Sequence, residues 1–357
     1  MDKPMLVEPL TPPQTLSLIL GCYTPTSPYG LHRLDLNSVT GELQANLLEI
    51  PIKDPSYFDV YQSQIYAISE VSADHHPQIH QYSLCKVQCN KTGQFDISGD
   101  SPCFIAMNAQ HKLATTAQYG SGHVDVFQLD DSLDLKQHLQ SIDSTSKASA
   151  QQVSHAHQAI ILNHTKTLVS VDLGLDRLSF YPYDQHHECF SIQNRQELDL
   201  ASGSGPRHVE FTQDEQFGLL LCEVSEQLIV IHDQQQQWQI INAQAAFPNT
   251  DNGQAGGAIK LSPDERFFYL SGRRQNIISC FAFDNQTGTV NHQYSVDCGG
   301  DFPRDFAISE NGEWLVVANQ NDHSVVSFKR NVFDGRIQHT GHSLFIDMPV
   351  CVKFFEG

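Results

Sequence analysis

A unit of apolar strand, polar turn, second apolar strand and third alternating strand recurs seven times along this 357-residue chain. Each copy opens on a small-residue or proline anchor: Pro55, Pro102, Ala156, Pro206, Gly257, Pro303 and Pro349. Successive anchors are 47, 54, 50, 51, 46 and 46 residues apart. A period in that range, built from short β-strands with Asp, Asn and Gly turns, predicts radial repetition of four-stranded blades. In the copy opened by Pro206, strands are expected over 207–212, 217–224, 227–233 and 238–244. The copies fill residues 16–357 and leave no linker for a second domain; residues 1–15, rich in proline, read as an irregular leader.

The two ends complete the count. Residues 16–50 carry three strands but no anchored first strand, whereas PVCVKFF (349–355) is an anchored first strand with nothing after it. Pairing them gives an all-β, seven-bladed propeller closed by its C-terminal strand, and removes the open edges of a linear array.

Charge and cysteine usage narrow the function. There are 41 Asp and Glu against 21 Lys and Arg, a formal charge of −20. No cationic footprint for nucleic acid or an anionic membrane exists. The nine cysteines lack metal-ligand spacing and read as buried reduced thiols of a cytoplasmic protein. LSLILGC (16–22) is too short for a secretory core and reads as a strand, and no run is long enough to span a bilayer.

First and second strands of a blade are antiparallel, so the start of one and the end of the other share one end of the ring. Reading those places gives Glu70, Tyr119, His155, His157, Asp172, Arg207, His208, Glu223, Arg273, Arg274, Arg304, Asn319 and Gln320. The opposite ends read as ordinary turns such as DEQ and ENG, so charge is expected at one mouth only. GPRH, FPRD and SGRR put guanidinium groups at that mouth in three blades, where they suit phosphate or carboxylate. A His and a Glu beside them supply acid–base chemistry. His186-His187-Glu188 and His75-His76 read as surface loops rather than metal ligands. No G-x-S-x-G elbow and no helix-opening phosphate loop is present.

At these residues the chain resembles the lactonase family of seven-bladed propellers. The matching pieces, in order over 16–355, are GCYT, TGEL, YGSG, HAHQ with VDLGLDR, GPRH, SPDERFFYLSGR, FPRDFAIS with VVANQ, and PVCV. The resemblance implies 6-phosphogluconolactonase-type hydrolysis without cofactor or metal, on a small anionic lactone, by a monomer or weak homo-oligomer. It maps catalytic roles to His157 (or His155), Arg207, Glu223 and Arg273. His155, His208, Arg304, Glu70, Tyr119, Asp172 and Gln320 are left for substrate binding. Cys222 and Gly272 stand where the family usually has Asn. A related branch is a carboxymuconate cycloisomerase, so an isomerase and a binding propeller stay open as alternatives.

Overall fold

The computed structural model describes residues 15–85, 88–144, 153–235 and 237–355. The expected leader thus lies outside the described residues, except Thr15, which already belongs to a strand. Seven sheets form, each of four antiparallel strands except one whose outer edge is shared by Cys189–Phe190 and Gln196–Asp199. Blade 1 joins Thr15–Cys22, Tyr29–Asn37 and Leu43–Pro51 to the C-terminal Pro349–Phe355, with Leu20 opposite Val352. The innermost strands of blades 2 to 7 are Phe58–Tyr61, Pro102–Asn108, Ala156–Ile161, Pro206–Phe211, Gly256–Leu261 and Pro303–Ile308. Each packs against the next, and Pro303–Ile308 packs against Pro349–Phe355, so the ring closes as the sequence predicts. In the blade opened by Pro206 the strands begin and end within two residues of their expected places. Blade 2 departs: its inner strand starts three residues after Pro55 and is short. No helix among the described residues is long and apolar enough to cross a membrane.

The apolar face of each sheet packs on its neighbours. Leu18, Leu20, Val352, Trp314, Val316 and Ala318 form one such interface, which ties the closing blade to blade 7. All nine cysteines are unbridged; six are buried, Cys85 is exposed, and Cys89 and Cys189 are half-buried, so the expectation of uniformly buried thiols needs that correction. These three lie in or beside outer strands, which have solvent on one side.

Two repeated devices set the geometry of the channel mouth. One is a β-bulge one residue into the inner strand. Pro206 pairs with Cys222 but His208 pairs with Leu221, which leaves Arg207 without an opposite number. The same step leaves out Val350, Cys103, His157 and Arg304, and crowds Gly257 and Ala258 against a single residue in blade 6. A bulge re-aims the extra side chain and bends the strand.

The other device is a pin between neighbouring blades. Asp176, Glu226, Asn276 and His323 each have left-handed backbone (φ 52, 52, 57 and 59°) just before a third strand. Their side chains accept the backbone N–H of Gly205 (2.7 Å), Ala255 (3.0 Å), Phe302 (2.9 Å) and Met348 (3.1 Å). Each of those residues immediately precedes the next inner strand, so the pin fixes where the bulge falls. Glu226 also accepts from Gly253 N at 3.0 Å and from Gln275 Nε2 at 2.7 Å. Removing it in Glu226→Ala is expected to lower stability by about 1–3 kcal/mol for each buried donor left unpaired. Urea denaturation should show this; a variant within about 0.5 kcal/mol of the parent would mean that the pin holds nothing.

Candidate functional site

The bulges bring His157, Arg207 and Arg304 to one mouth, and second-strand ends add Glu223 and Arg273. Glu223 lies between two guanidinium groups: its Oε2 is 3.0 Å from Arg207 Nε, and its Oε1 is 2.9 Å from Arg273 Nη2. The Arg207 contact is an ion pair rather than a hydrogen bond, because the Nε–H does not point squarely at the carboxylate. Arg207 Nη1 donates to the Gly257 carbonyl at 2.8 Å, and Arg273 Nε donates to the Ala255 carbonyl at 3.1 Å. Backbone carbonyls thus anchor both arginines, which are nearly buried. Gly257 is needed here: a Cβ would stand 2.4 Å from Ser271 Oγ and 3.0 Å from the Pro303 carbonyl. Burial, with the neighbouring Arg207, pulls Arg273 down to about 10, although Glu223 opposes the shift.

His157 is 6% exposed, and its Nδ1 has no hydrogen-bond partner while shut off from solvent. Burial, then the charges of Arg207 and Arg304, hold it well below the ordinary histidine pKa, so the ring is neutral at pH 7. His155, one turn of the strand pleat away, does something else. It stacks on Tyr119 at 4.4 Å, with Nδ1 2.7 Å from the Tyr119 carbonyl. Tyr119 in turn meets His157 edge-on at 5.9 Å. The bulge therefore separates two histidines that the sequence could not rank.

Other expected residues fall around this centre in different ways. Arg304 Nη2 donates to the Tyr23 hydroxyl at 2.9 Å, and that hydroxyl donates to Glu70 Oε2 at 3.1 Å. His208 packs edge-on against Tyr57, Phe104 and His157, and burial keeps it neutral too. Asp172 accepts from Ser154 Oγ and from the backbone N–H of His155 and Leu175, so its carboxylate holds the entry to blade 4. Asn319 donates to Ser324, and Gln320 is half-buried with an unpartnered Oε1. Arg274 is exposed, unlike Arg273 beside it. His75, His76, His186 and His187 are exposed, and His187 pairs with Asp184 at 2.7 Å. Among the described residues no group of His, Cys, Asp and Glu is placed to hold a metal ion.

Sequence reasoning missed two things. Tyr23, in GCYT, joins the mouth through Arg304 and Glu70; an aromatic residue just after a strand gave no signal of its own. Charge is also not confined to one mouth. Deeper in the channel, Lys260 Nζ lies 3.7 Å from Glu210 and 3.9 Å from Asp305, and Lys353 lies 2.7 Å from Asp59. Lys260 and Lys353 line cavities of about 1170 and 350 Å³ toward the far end. The expectation of ordinary turns there holds for the loops but not for the inner strands. Lone charges in apolar strands, as in HVEF, AIKL and VKFF, were the available signal.

The profile of a family described as "Lactonase, 7-bladed beta-propeller" matches residues 17–354. The chain is 27% identical over 345 residues to the 6-phosphogluconolactonase of Bacillus subtilis (strain 168), covering 94% of this chain and 97% of that one. A crystal structure from Bacteroides fragilis, provisionally assigned as a 6-phosphogluconolactonase, superposes with a TM-score of 0.87 at 26% identity over 98% of this chain and 100% of its own. The periplasmic gluconolactonase of Pseudomonas aeruginosa shares the fold, with a TM-score of 0.87 at 24% identity over 96% and 99%. On the closed seven-bladed ring and a profile match that runs almost its whole length, the chain belongs to the lactonase family of seven-bladed β-propellers.

Proposed function

We propose that this protein hydrolyses a sugar lactone of the 6-phosphogluconolactone type at the Arg-rich mouth. The observation that carries the reading is the Glu223 carboxylate held between Arg207 and Arg273, beside a neutral, unpartnered His157. Family membership and the Bacillus relative, whose name states that activity, support it.

In this reading the lactone carbonyl sits against Arg207 and Arg273, which stabilise the oxyanion as water adds. Fixed donors in a site shielded from bulk water need little reorganisation, so they act mainly on the transition state. His157 takes a proton from the attacking water. The imidazolium so formed is disfavoured by burial and by Arg207 and Arg304, which makes it a ready donor to the ring oxygen as the C–O bond breaks. Glu223 offsets part of the positive charge and holds both guanidinium groups in place. A lactone is an activated ester, so water, one proton shuttle and an oxyanion site suffice. Arg304, Glu70, Tyr119, His155, His208 and Gln320 complete the walls, and Asp172 supports them from behind through the backbone N–H of His155.

The test is acid release from freshly made 6-phosphogluconolactone, corrected for spontaneous hydrolysis. Arg207→Ala should lose about 2–4 kcal/mol of transition-state stabilisation, and Arg207→Lys should regain only part of it. His157→Gln should lower kcat by roughly 10²–10⁴, and Glu223→Gln should lower kcat with little change in KM. A wild-type protein with no rate above background on phosphorylated or neutral lactones would overturn the reading in favour of a cycloisomerase or binding role.

The buried histidines also set a pH dependence with a definite sign. His157 and His208 are depressed in the fold, while the unfolded chain takes up protons near pH 6.5. Below that pH the unfolded state binds more protons, so stability is full above about 6.5 and declines as pH falls toward the folded-state values. Each histidine contributes at most about 1.4 kcal/mol per pH unit within that window. His208→Gln should flatten the slope of unfolding free energy against pH between about 6.5 and 5 relative to the parent. Equal slopes would show that His208 titrates normally in the folded state.

A further inference from the structure

The three mouth arginines are not equivalent. Arg207 and Arg273 each touch the Glu223 carboxylate and a backbone carbonyl. Arg304 does neither. Among the described residues its one hydrogen bond goes to a neutral hydroxyl, that of Tyr23, and its guanidinium also lies 5.2 Å over the Tyr23 ring. Among the described residues no carboxylate oxygen comes within 4.0 Å of it. A half-buried guanidinium without a direct counter-ion keeps N–H groups that an anion entering the mouth can take up.

Tyr23 is what keeps the obvious counter-ion away. Its hydroxyl sits between Arg304 and Glu70, accepting from one at 2.9 Å and donating to the other at 3.1 Å. The backbone holds Tyr23 there: its N–H donates to the Met348 carbonyl, in the loop that leads into the closing strand. The neighbouring Thr24 is fixed from the same side, since its N–H and hydroxyl both bond to Asp54 at 2.7 and 2.9 Å. Burial, and then Glu70 acting against Arg304, pushes Tyr23 up to about 12, so the hydroxyl keeps its proton at any working pH. It therefore acts as a neutral spacer that blocks an Arg304–Glu70 ion pair and leaves most Arg304 N–H groups for a ligand.

Resting on the lactone reading above, we propose that Arg304 is the receptor for the anionic group of the substrate, held open for it by Tyr23. Arg207, Arg273 and Glu223 then handle the lactone ring, and the preference for a charged over a neutral lactone resides in Arg304. Tyr23 is a positioning residue that sets that preference without touching the reacting atoms. A phosphate ester and a carboxylate share the oxyanion chemistry that a guanidinium fork recognises, and the assay separates them.

The experiment compares kcat/KM for 6-phosphogluconolactone, glucarolactone and neutral gluconolactone in the full chain. In Arg304→Gln the ratio of charged to neutral substrate should fall about 10- to 100-fold, as expected for losing a charge-assisted contact. Whichever charged lactone loses more identifies phosphate or carboxylate as the preferred group. In Tyr23→Phe, Arg304 should close onto Glu70, raising KM for the charged lactone about fivefold or more with kcat nearly kept. Adding Glu70→Gln to Tyr23→Phe should bring KM back toward the parent, which a merely structural role for Tyr23 would not do. A ratio unchanged in Arg304→Gln, or a double variant no better than Tyr23→Phe, overturns the proposal while leaving lactone hydrolysis intact. If the wild type turns over no lactone, the lactone reading fails, and inorganic phosphate binding by titration calorimetry decides about Arg304 alone. A tenfold or greater loss of phosphate affinity in Arg304→Gln would support the receptor role, and unchanged affinity would end it.

Discussion

Much of what is distinctive about the channel mouth depends on one extra residue near the start of the inner strand in six of the seven blades. In a regular antiparallel pair, side chains alternate between the two faces of the sheet, and in a blade both faces pack against neighbouring blades. The bulge breaks that alternation at one ring of positions and turns the extra residue out of the interblade core. Where that residue is His157, Arg207 or Arg304, a functional group reaches the axis; where it is Cys103 or Val350, the wall is apolar. Blade identity at a single position thus composes the site, and Asp176, Glu226, Asn276 and His323 keep the composition in register.

The second constraint is the burial of charge. An acidic protein holds Arg207 and Arg273 nearly out of water, with a half-buried Arg304 beside them, and desolvation alone would make this unfavourable. Glu223 answers for two of them by direct contact, and Glu70 answers for the third only through a hydroxyl. Deeper in the channel the balance reverses: Lys260 and Lys353 are set among Glu210, Asp305 and Asp59. Burial works against the Lys260 charge, yet Tyr57, Asp305 and Glu210 hold its pKa above the ordinary lysine value. That deeper layer sets three carboxylates against two ammonium groups, whereas the mouth sets three guanidinium groups against two carboxylates, which leaves the mouth as the place where an added anion lowers the energy most.

The fold was legible because it repeats. Anchors such as Pro206 and Pro303, turns such as DEQ and ENG, and the unpaired strand at 349–355 each carried local information that agreed with the global ring. The mouth was legible too, because antiparallel geometry forces first-strand starts and second-strand ends together. What stayed hidden depends on offsets of one residue. His155 and His157 are equivalent in composition and differ only in which occupies the bulge. Asp172 has the chemistry of a ligand-binding group but is turned to backbone donors by a loop that no periodicity reports. Tyr23 acquires its role from two residues 47 and 281 positions away, a relation that only the closed ring creates. Glu210 and Lys260 were visible as lone charges in apolar strands, but their place on the inner wall needed the blade geometry.

The most direct measurement is a crystal structure grown with phosphate or sulfate and no substrate. An anion ordered at the mouth, in contact with Arg304 and near the Arg207–Glu223–Arg273 bridge, is the expected result. An anion bound instead to Lys260 and Lys353 in the far half of the channel, with the mouth arginines touching only protein, would contradict the assignment of the mouth as the site.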